Sequence, residues 1–256
     1  MSNYSTFDEL KQNCREFVSA AQKRGVYNGI KNLLTELYPD KAHFIYELLQ
    51  NAEDMWASKV MFTLTNDTLI FEHNGKKRDF TLDDISSITS IGDSNKRRED
   101  LSEIGQFGVG FKAVYAYTTT PEIHSGEYNF KIVDMLLPED IGVQKCSRKG
   151  VTQFIFPLGN ETKDTKTAVS EIEKGLIELD GNAITFLTHI KKIIFKLPDN
   201  SIGSIISETD EKKVQTISVY HPGNATPDKI YFLKFDKEVP VIIKGKKENR
   251  SVSTSR

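Results

Sequence analysis

Two cysteines, Cys14 and Cys146, serve the whole 256-residue chain, and they stand far apart without a CxxC spacing. That scarcity excludes a disulfide framework and a thiolate zinc site, and it fits a reducing compartment. An excess of one charge is lacking too: 34 basic against 36 acidic side chains leave a net charge of -2, so no global field draws the chain to nucleic acid. No apolar run comes near the roughly 20 residues that cross a bilayer. The start, "MSNYSTFDELKQN", has no basic stretch followed by an apolar one, so it does not read as a signal peptide. The N-x-S/T triplets at Asn66, Asn160 and Asn224 are therefore read as chance matches, and the protein as cytoplasmic, with no membrane partner. Internal repeats and low-complexity tracts are missing, and so are the nucleotide signatures GxxxxGK[ST] and GxGxxG.

What is present suits a globular chain with a real core: 38% hydrophobic and 27% charged residues, in a length sufficient for one large domain and the start of a second. Apolar residues at three- and four-residue spacing predict helices in "FDELKQNCREFV" and "YNGIKNLLTELY". Asp40 is placed to cap a further helix, "KAHFIYELLQNAEDMWA". The runs "KVMFTLT" and "TLIFEH", separated by "NDT", predict a β-hairpin. "FTLDDISSITSI" reads as a short helix beginning near Thr81 or Asp83, and "GDSNKRREDLSE" as a mobile charged loop. Strands are expected in "YNFKIVDML", "VTQFIFPL" and "IKKIIFKL", and helices in "KTAVSEIEKGLIEL" and "NAITFLTHI". Beyond Asp199 short strands are expected in "VQTISVYH", "KIYFLKF" and "VPVIIKG". These shifts divide the chain into a domain over residues 1–197 and a β-rich segment over 198–256, read as the start of a following domain.

Two stretches carry chemistry. In "IGQFGVGFKAVY" three glycines, Gly105, Gly108 and Gly110, fall directly before an apolar pattern of helical type. Glycine costs roughly 0.5–1 kcal/mol against alanine in regular structure, so the cluster marks either a tight turn or a backbone cradle for an anion. In "ELLQNAED" Glu47 and Asn51 lie four residues apart, on one helix face, with Asp54 three further on. A carboxamide oxygen is a hard ligand suited to magnesium, and a carboxylate can take a proton from an attacking water. Either stretch alone has an ordinary structural reading; their joint order is the signal.

"ELLQNAED" followed by "IGQFGVGF" resembles the GHKL (Bergerat-fold) superfamily of ATP-binding domains, which includes the ninety-kilodalton heat-shock chaperones, DNA gyrase, MutL and sensor histidine kinases. The wider setting, "IKNLLTELYPDKAHFIYELLQNAED", "FEHNGKKRDFTLDDI" and "GFKAVY", is more similar to domains of the sacsin and No-Vein (Nov) type, over roughly residues 30–197. The resemblance implies an α/β two-layer sandwich with a mixed, mostly antiparallel sheet, and ATP with Mg2+ as cofactors. It makes Glu47 the catalytic base and Asn51 the magnesium ligand, with Asp54 supporting them. Gly105, Gln106, Phe107, Gly108, Val109, Gly110 and Phe111 would form the phosphate cradle, the two phenylalanines mainly by packing. Lys112 would reach phosphate or stand exposed on its helix. "GDSNKRREDLSE" would be a lid, with Ser94, Asn95 and Lys96 as phosphate contacts.

One motif departs from the family's pattern. Where an aspartate followed by x-Gly usually accepts a hydrogen bond from the adenine amino group, this chain has His73, Asn74 and Gly75. A neutral histidine accepts through one ring nitrogen and a protonated one does not. Affinity is then expected to fall as pH drops through the histidine pKa, and a flat profile between about pH 5.5 and 8 removes His73 from that role. Thr152, in "GVTQFIFPL", takes the place of a family threonine near the adenine.

The resemblance implies an ATP-binding, slowly hydrolysing module whose lid closure drives self-association within a larger chaperone-like or DNA- or defence-associated protein. Protein clients or DNA would be engaged by parts beyond this chain. The competing reading is a non-catalytic, nucleotide-gated interaction module; a histidine kinase acting through His43 lacks a preceding phosphoacceptor hairpin. The tail "KGKKENR" reads as a solvated linker.

Overall fold

The computed structural model describes residues 4–29, 44–75, 77–90, 110–142, 150–185, 187–243 and 246–255. Helix α1 spans Phe7–Lys23 and starts where Thr6 accepts the Glu9 N–H at 3.2 Å while Glu9 accepts the Ser5 N–H at 2.7 Å. The Thr6 bond satisfies one of the donors that a helix start leaves open, and the Glu9 bond holds the residue before the cap. Helix α2, Phe44–Asp54, ends in a Schellman turn: Ala57 N–H donates to Ala52 O and Trp56 N–H to Glu53 O, with Trp56 left-handed at φ 57°. The sequence pattern carried this helix to residue 57, and the left-handed Trp56 is why it stops short. Asp40, its expected cap, lies outside the described residues. Helix α3, Leu82–Thr89, has Thr81 as its N-cap and Asp83 in its first turn: Thr81 donates its N–H and its hydroxyl to Asp84 Oδ2, both at 2.8 Å.

The hairpin expected around "NDT" is present as β1 (Lys59–Leu64) and β2 (Thr68–His73), paired antiparallel, with Val60 opposite His73. The chain continues through β3 (Glu122–Ser125), β4 (Tyr128–Val133), β5 (Leu137–Asp140) and β6 (Thr152–Pro157). Then come α4 (Thr165–Ile177), capped by Asp164, the short α5 (Asn182–Thr185) and β7 (Lys192–Lys196). Strands β8 (Ile202–Thr209), β9 (Val214–Tyr220), β10 (Asp228–Ile243) and β11 (Lys246–Ser255) close the described chain. The strand order is β11-β10-β9-β8-β7-β1-β2-β6-β3-β4-β5. Among the described pairs β1–β7 is parallel and the others are antiparallel, so this is a mixed α/β sheet.

Several expectations are corrected. The run 128–136 is not one strand, because Asp134 and Met135 take φ of 53° and 65° and turn the chain into β5. "NAITFLTHI" yields only the four residues of α5. "KIYFLKF" and the described part of "VPVIIKG", to Ile243, belong to one strand, β10, whose first half pairs β9 and whose second half pairs β11. Apart from these corrections, strand β8 pairs β7 antiparallel from Lys192↔Ile206 to Lys196↔Ile202.

One face of the sheet and the helices share a single hydrophobic cluster. Alternation makes that possible: in β2 Leu69, Phe71 and His73 are buried while Thr68, Ile70 and Glu72 are half-buried. Phe62 and Phe71 meet at 4.7 Å between ring centroids, and Phe154 packs on Phe71, Phe111 and Phe156. Leu48, Leu49 and Ala52 of α2 are almost wholly buried in the same cluster, leaving Glu47 and Asn51 to be placed by the helix they sit on. No helix among the described residues is long and apolar enough to cross a membrane.

Candidate functional site

The two motifs meet in space. A Cβ placed on Gly110 would lie 1.9 Å from Glu47 Oε2 and 2.6 Å from its carboxyl carbon, so the carboxylate occupies the space that any other side chain at 110 would take. Gly110 is thus needed for close approach rather than for a special φ. One turn further along α2, Asn51 is 5% exposed, and its carboxamide has no hydrogen-bond partner among the described residues. Asp54 is buried on the same helix.

Gly105, Gln106, Phe107, Gly108 and Val109 lie outside the described residues, as do Ser94, Asn95 and Lys96. The segment that Gly110 opens differs from the helix that the sequence predicts. It is a 3-10 helix of seven residues, Gly110–Ala116, too short to carry a substantial dipole. Phe111 packs against Tyr115, Phe154 and Phe156, as a core residue.

Lys112 overturns the reading of an exposed lysine. It is 1% exposed, and its Nζ donates to Ile88 O and Met135 O, each at 2.6 Å, with the Tyr115 ring 5.6 Å away. The ammonium is therefore committed to two carbonyls, one in the last turn of α3, rather than offered to phosphate. Burial pulls its pKa from 10.5 down to about 7, opposed by the nearby Cys14.

His73 sits at the end of β2, opposite Thr152 of β6. Its ring packs between Phe71 and Phe154, with centroids 5.9 and 6.2 Å away. Burial lowers its pKa to about 4, so the ring is neutral throughout the pH range 5.5–8 in which a titration was expected; a flat affinity profile there no longer bears on its role. Nδ1 accepts the Gly75 N–H at 3.2 Å, which takes up the acceptor that the sequence reading assigned to the adenine amino group. A Cβ on Gly75 would come within 3.0 Å of both that nitrogen and Met55 Cβ, which is why glycine stands there.

Asn74, grouped with the nucleotide contacts from sequence, is a structural fastener. Its Oδ1 accepts the Ser58 and Lys59 N–H groups at 3.0 and 2.9 Å, and its Nδ2 donates to Ser58 Oγ at 3.0 Å. Both oxygen lone pairs are used, and the end of β2 is tied to the turn after α2. Thr152 is buried, with its Oγ1 2.7 Å from Ser125 Oγ, and that oxygen accepts the Phe80 N–H at 3.1 Å.

Sequence reasoning passed over Glu53. Its carboxylate accepts N–H groups from Thr188, His189 and Ile190 at 2.6, 2.7 and 2.9 Å, and the His189 ring nitrogen Nδ1 lies 3.0 Å away. Those partners are more than 130 residues distant, so no local signal marks them. Among the described residues no group of three or more His, Cys, Asp and Glu is arranged to hold a metal.

With this geometry in view, the likeness to known proteins is informative. A family model described as "Sacsin domain" matches residues 68–149, from the start of β2 to shortly before β6. Protein NO VEIN of Arabidopsis thaliana is 27% identical over 213 residues, covering 73% of this chain and 8% of that protein. Sacsin of Homo sapiens is 30% identical over 131 residues, covering 44% of this chain and 3% of its own length. The chain thus spans under a tenth of either relative. On these matches the chain is similar to the sacsin and No-Vein type of protein, the branch to which its motifs point.

Proposed function

We propose that this chain is a Mg-ATP-binding module of the GHKL type, with its helices and sheet forming the two layers of that fold. The observation that carries the reading is the meeting of Glu47 and Gly110. Two motifs far apart in sequence close on one point, and the space between them is kept free of any Cβ. The residues suit the group: Asn51 presents a carboxamide with no partner among the described residues, whose oxygen is the type magnesium prefers, and His73, paired with Thr152 across β2 and β6, lies beside Met55 just beyond the end of α2.

Bound magnesium would neutralise phosphate charge. The protein's own part is positional: the buried α2 holds Glu47 so that its carboxylate receives the proton of an attacking water. Slow turnover would then drive lid closure and self-association, with clients or DNA engaged by parts beyond this chain.

Calorimetric titration of Mg-ATP into the intact chain tests this. Saturable binding is expected, abolished in Asn51→Ala and retained in Glu47→Ala, which loses turnover by roughly 10²–10⁴-fold. Binding with unchanged turnover in Glu47→Ala leaves the non-catalytic, nucleotide-gated module in its place. No binding by the intact chain removes both.

A further inference from the structure

We propose that the turn after α2 is a docking surface for single-stranded nucleic acid, with Trp56 as the stacking platform and Lys59, Lys77, Lys191 and Lys192 as the phosphate contacts. This surface is separate from the triphosphate site and does not depend on it.

Trp56 is the only tryptophan of the chain, and local forces do not favour it where it stands. It holds the left-handed position of the Schellman turn, φ 57°, which glycine ordinarily takes. Nor does it serve the core: it is 51% exposed, while its neighbours Met55 and Ala57 are buried. What the position gives the ring is a fixed presentation. The indole stacks on the His189 imidazole, with 5.4 Å between centroids and 11° between planes. His189 is itself clamped, because its Nδ1 lies 3.0 Å from Glu53 Oε1 and its backbone N–H donates to the same oxygen at 2.7 Å. One indole face therefore rests on a ring held in place, and the exposed half of its surface includes the other face.

Two further segments reach this turn, and each brings lysine. Lys77 N–H donates to Met55 O at 3.2 Å, and the N–H groups of Lys191 and Lys192 both donate to Ser58 O, at 2.9 and 3.2 Å. Lys59 pairs with Lys192 in the parallel β1–β7 ladder, which sets their side chains on one face of the sheet. Lys59, Lys77 and Lys191 are exposed. Residues 55–59, 73–77 and 188–192 contain no Asp or Glu, and the two carboxylates just before the turn, Glu53 and Asp54, are buried. A chain of net charge -2 thus carries a local basic field around an open aromatic face.

That combination matches one kind of polyanion. A base offers a π-face to stack on the indole, and its flanking phosphates meet the lysines on either side. In a duplex neighbouring pairs cover those faces, so the platform selects single strands. An acidic peptide would satisfy the lysines and leave the indole unused.

Because Trp56 is the only tryptophan, its fluorescence reports contact directly. Titration of the intact chain with an oligothymidylate of about 12 nucleotides is expected to quench that emission, with affinity falling steeply between about 50 and 200 mM salt. Anisotropy of the labelled oligonucleotide is expected to show binding at least about fivefold weaker in Trp56→Ala. The double variant Lys59→Glu, Lys191→Glu should weaken it at least about tenfold. Those two lysines are exposed, so this variant decides the matter even where Trp56→Ala does not fold. Absence of quenching at about 50 mM salt overturns the proposal. Equal affinity for a duplex of the same length overturns the selection of single strands, and equal quenching by polyglutamate moves the surface to an acidic protein partner. Oligonucleotide binding that is lost in Asn51→Ala but kept in Trp56→Ala places the contact at the triphosphate site and overturns the proposal, whatever the outcome with Mg-ATP.

Discussion

Glu47 and Glu53 lie six residues apart on one helix, and the two ends of α2 use the same side chain for opposite purposes. At the C-terminal end Glu53 is saturated: three consecutive backbone N–H groups and a histidine converge on its carboxylate. A buried charge so paired is architecture, fixing the segment 188–190 against α2 ahead of β7. At the N-terminal end the Glu47 carboxylate lies where a Cβ on Gly110 would stand. The contrast teaches that a carboxylate's role is read from what meets it, not from its motif. The same lesson separates Asn51, whose amide has no partner among the described residues, from Asn74, whose amide makes three hydrogen bonds that tie β2 to the turn before β1.

Three substitutions press on this contrast. The largest effect is expected at Glu53: Glu53→Ala leaves three backbone N–H groups, that of Ile190 buried, without their acceptor and should cost about 2–4 kcal/mol in denaturant unfolding. A loss below about 1 kcal/mol would erase the distinction between the two ends. Next is Lys112, two residues beyond Gly110. Its pKa of about 7 lies below the ordinary 10.5, so between those values the unfolded chain binds more protons than the folded one. Stability should therefore climb as pH rises from 7 to about 9.5, and the part of that climb due to Lys112 should vanish in Lys112→Met. At pH 7 the variant is expected to lose only about 1–2 kcal/mol, since unpairing two carbonyls is offset by removing a buried charge. An identical pH slope in the two proteins would show that the ammonium is not held as described. The smallest change in stability is expected for Gly110→Ala, under about 1 kcal/mol, because the clash is with the movable end of the Glu47 side chain. Nucleotide turnover should nonetheless fall at least about tenfold as the carboxylate is displaced. A variant that is strongly unfolded but fully active would invert the comparison.

Much of the local architecture was legible in the residues. Alternation in "KVMFTLT" and "TLIFEH" around a turn triplet specifies a hairpin because period two and turn chemistry agree. The apolar stripe Phe44, Leu48, Leu49 and Ala52 specifies a helix with Glu47 and Asn51 on one face. Other elements were not legible for definite reasons. Strands β3 and β5 have four residues each, too few for a pattern to show. Strand β10 carries Asp236 and Pro240 among its β-formers, which divides one strand into two apparent ones. The turn at 134–135 uses left-handed backbone at non-glycine residues, which sequence rarely announces.

Sequence alone determined the order and spacing of the two motifs, the faces of α2 and the place where His73 stands in the usual aspartate's position. Tertiary structure decided which polar groups are spent and which are free. Lys112 finds its carbonyls 24 and 23 residues away, and Glu53 its amides 135 to 137 residues away. His73 receives its tautomer from Gly75 only because that loop folds back over Met55. The physical reason is shared: most buried polar groups are paired, and for Lys112 and Glu53 the partner is chosen by the fold, not by neighbours along the chain.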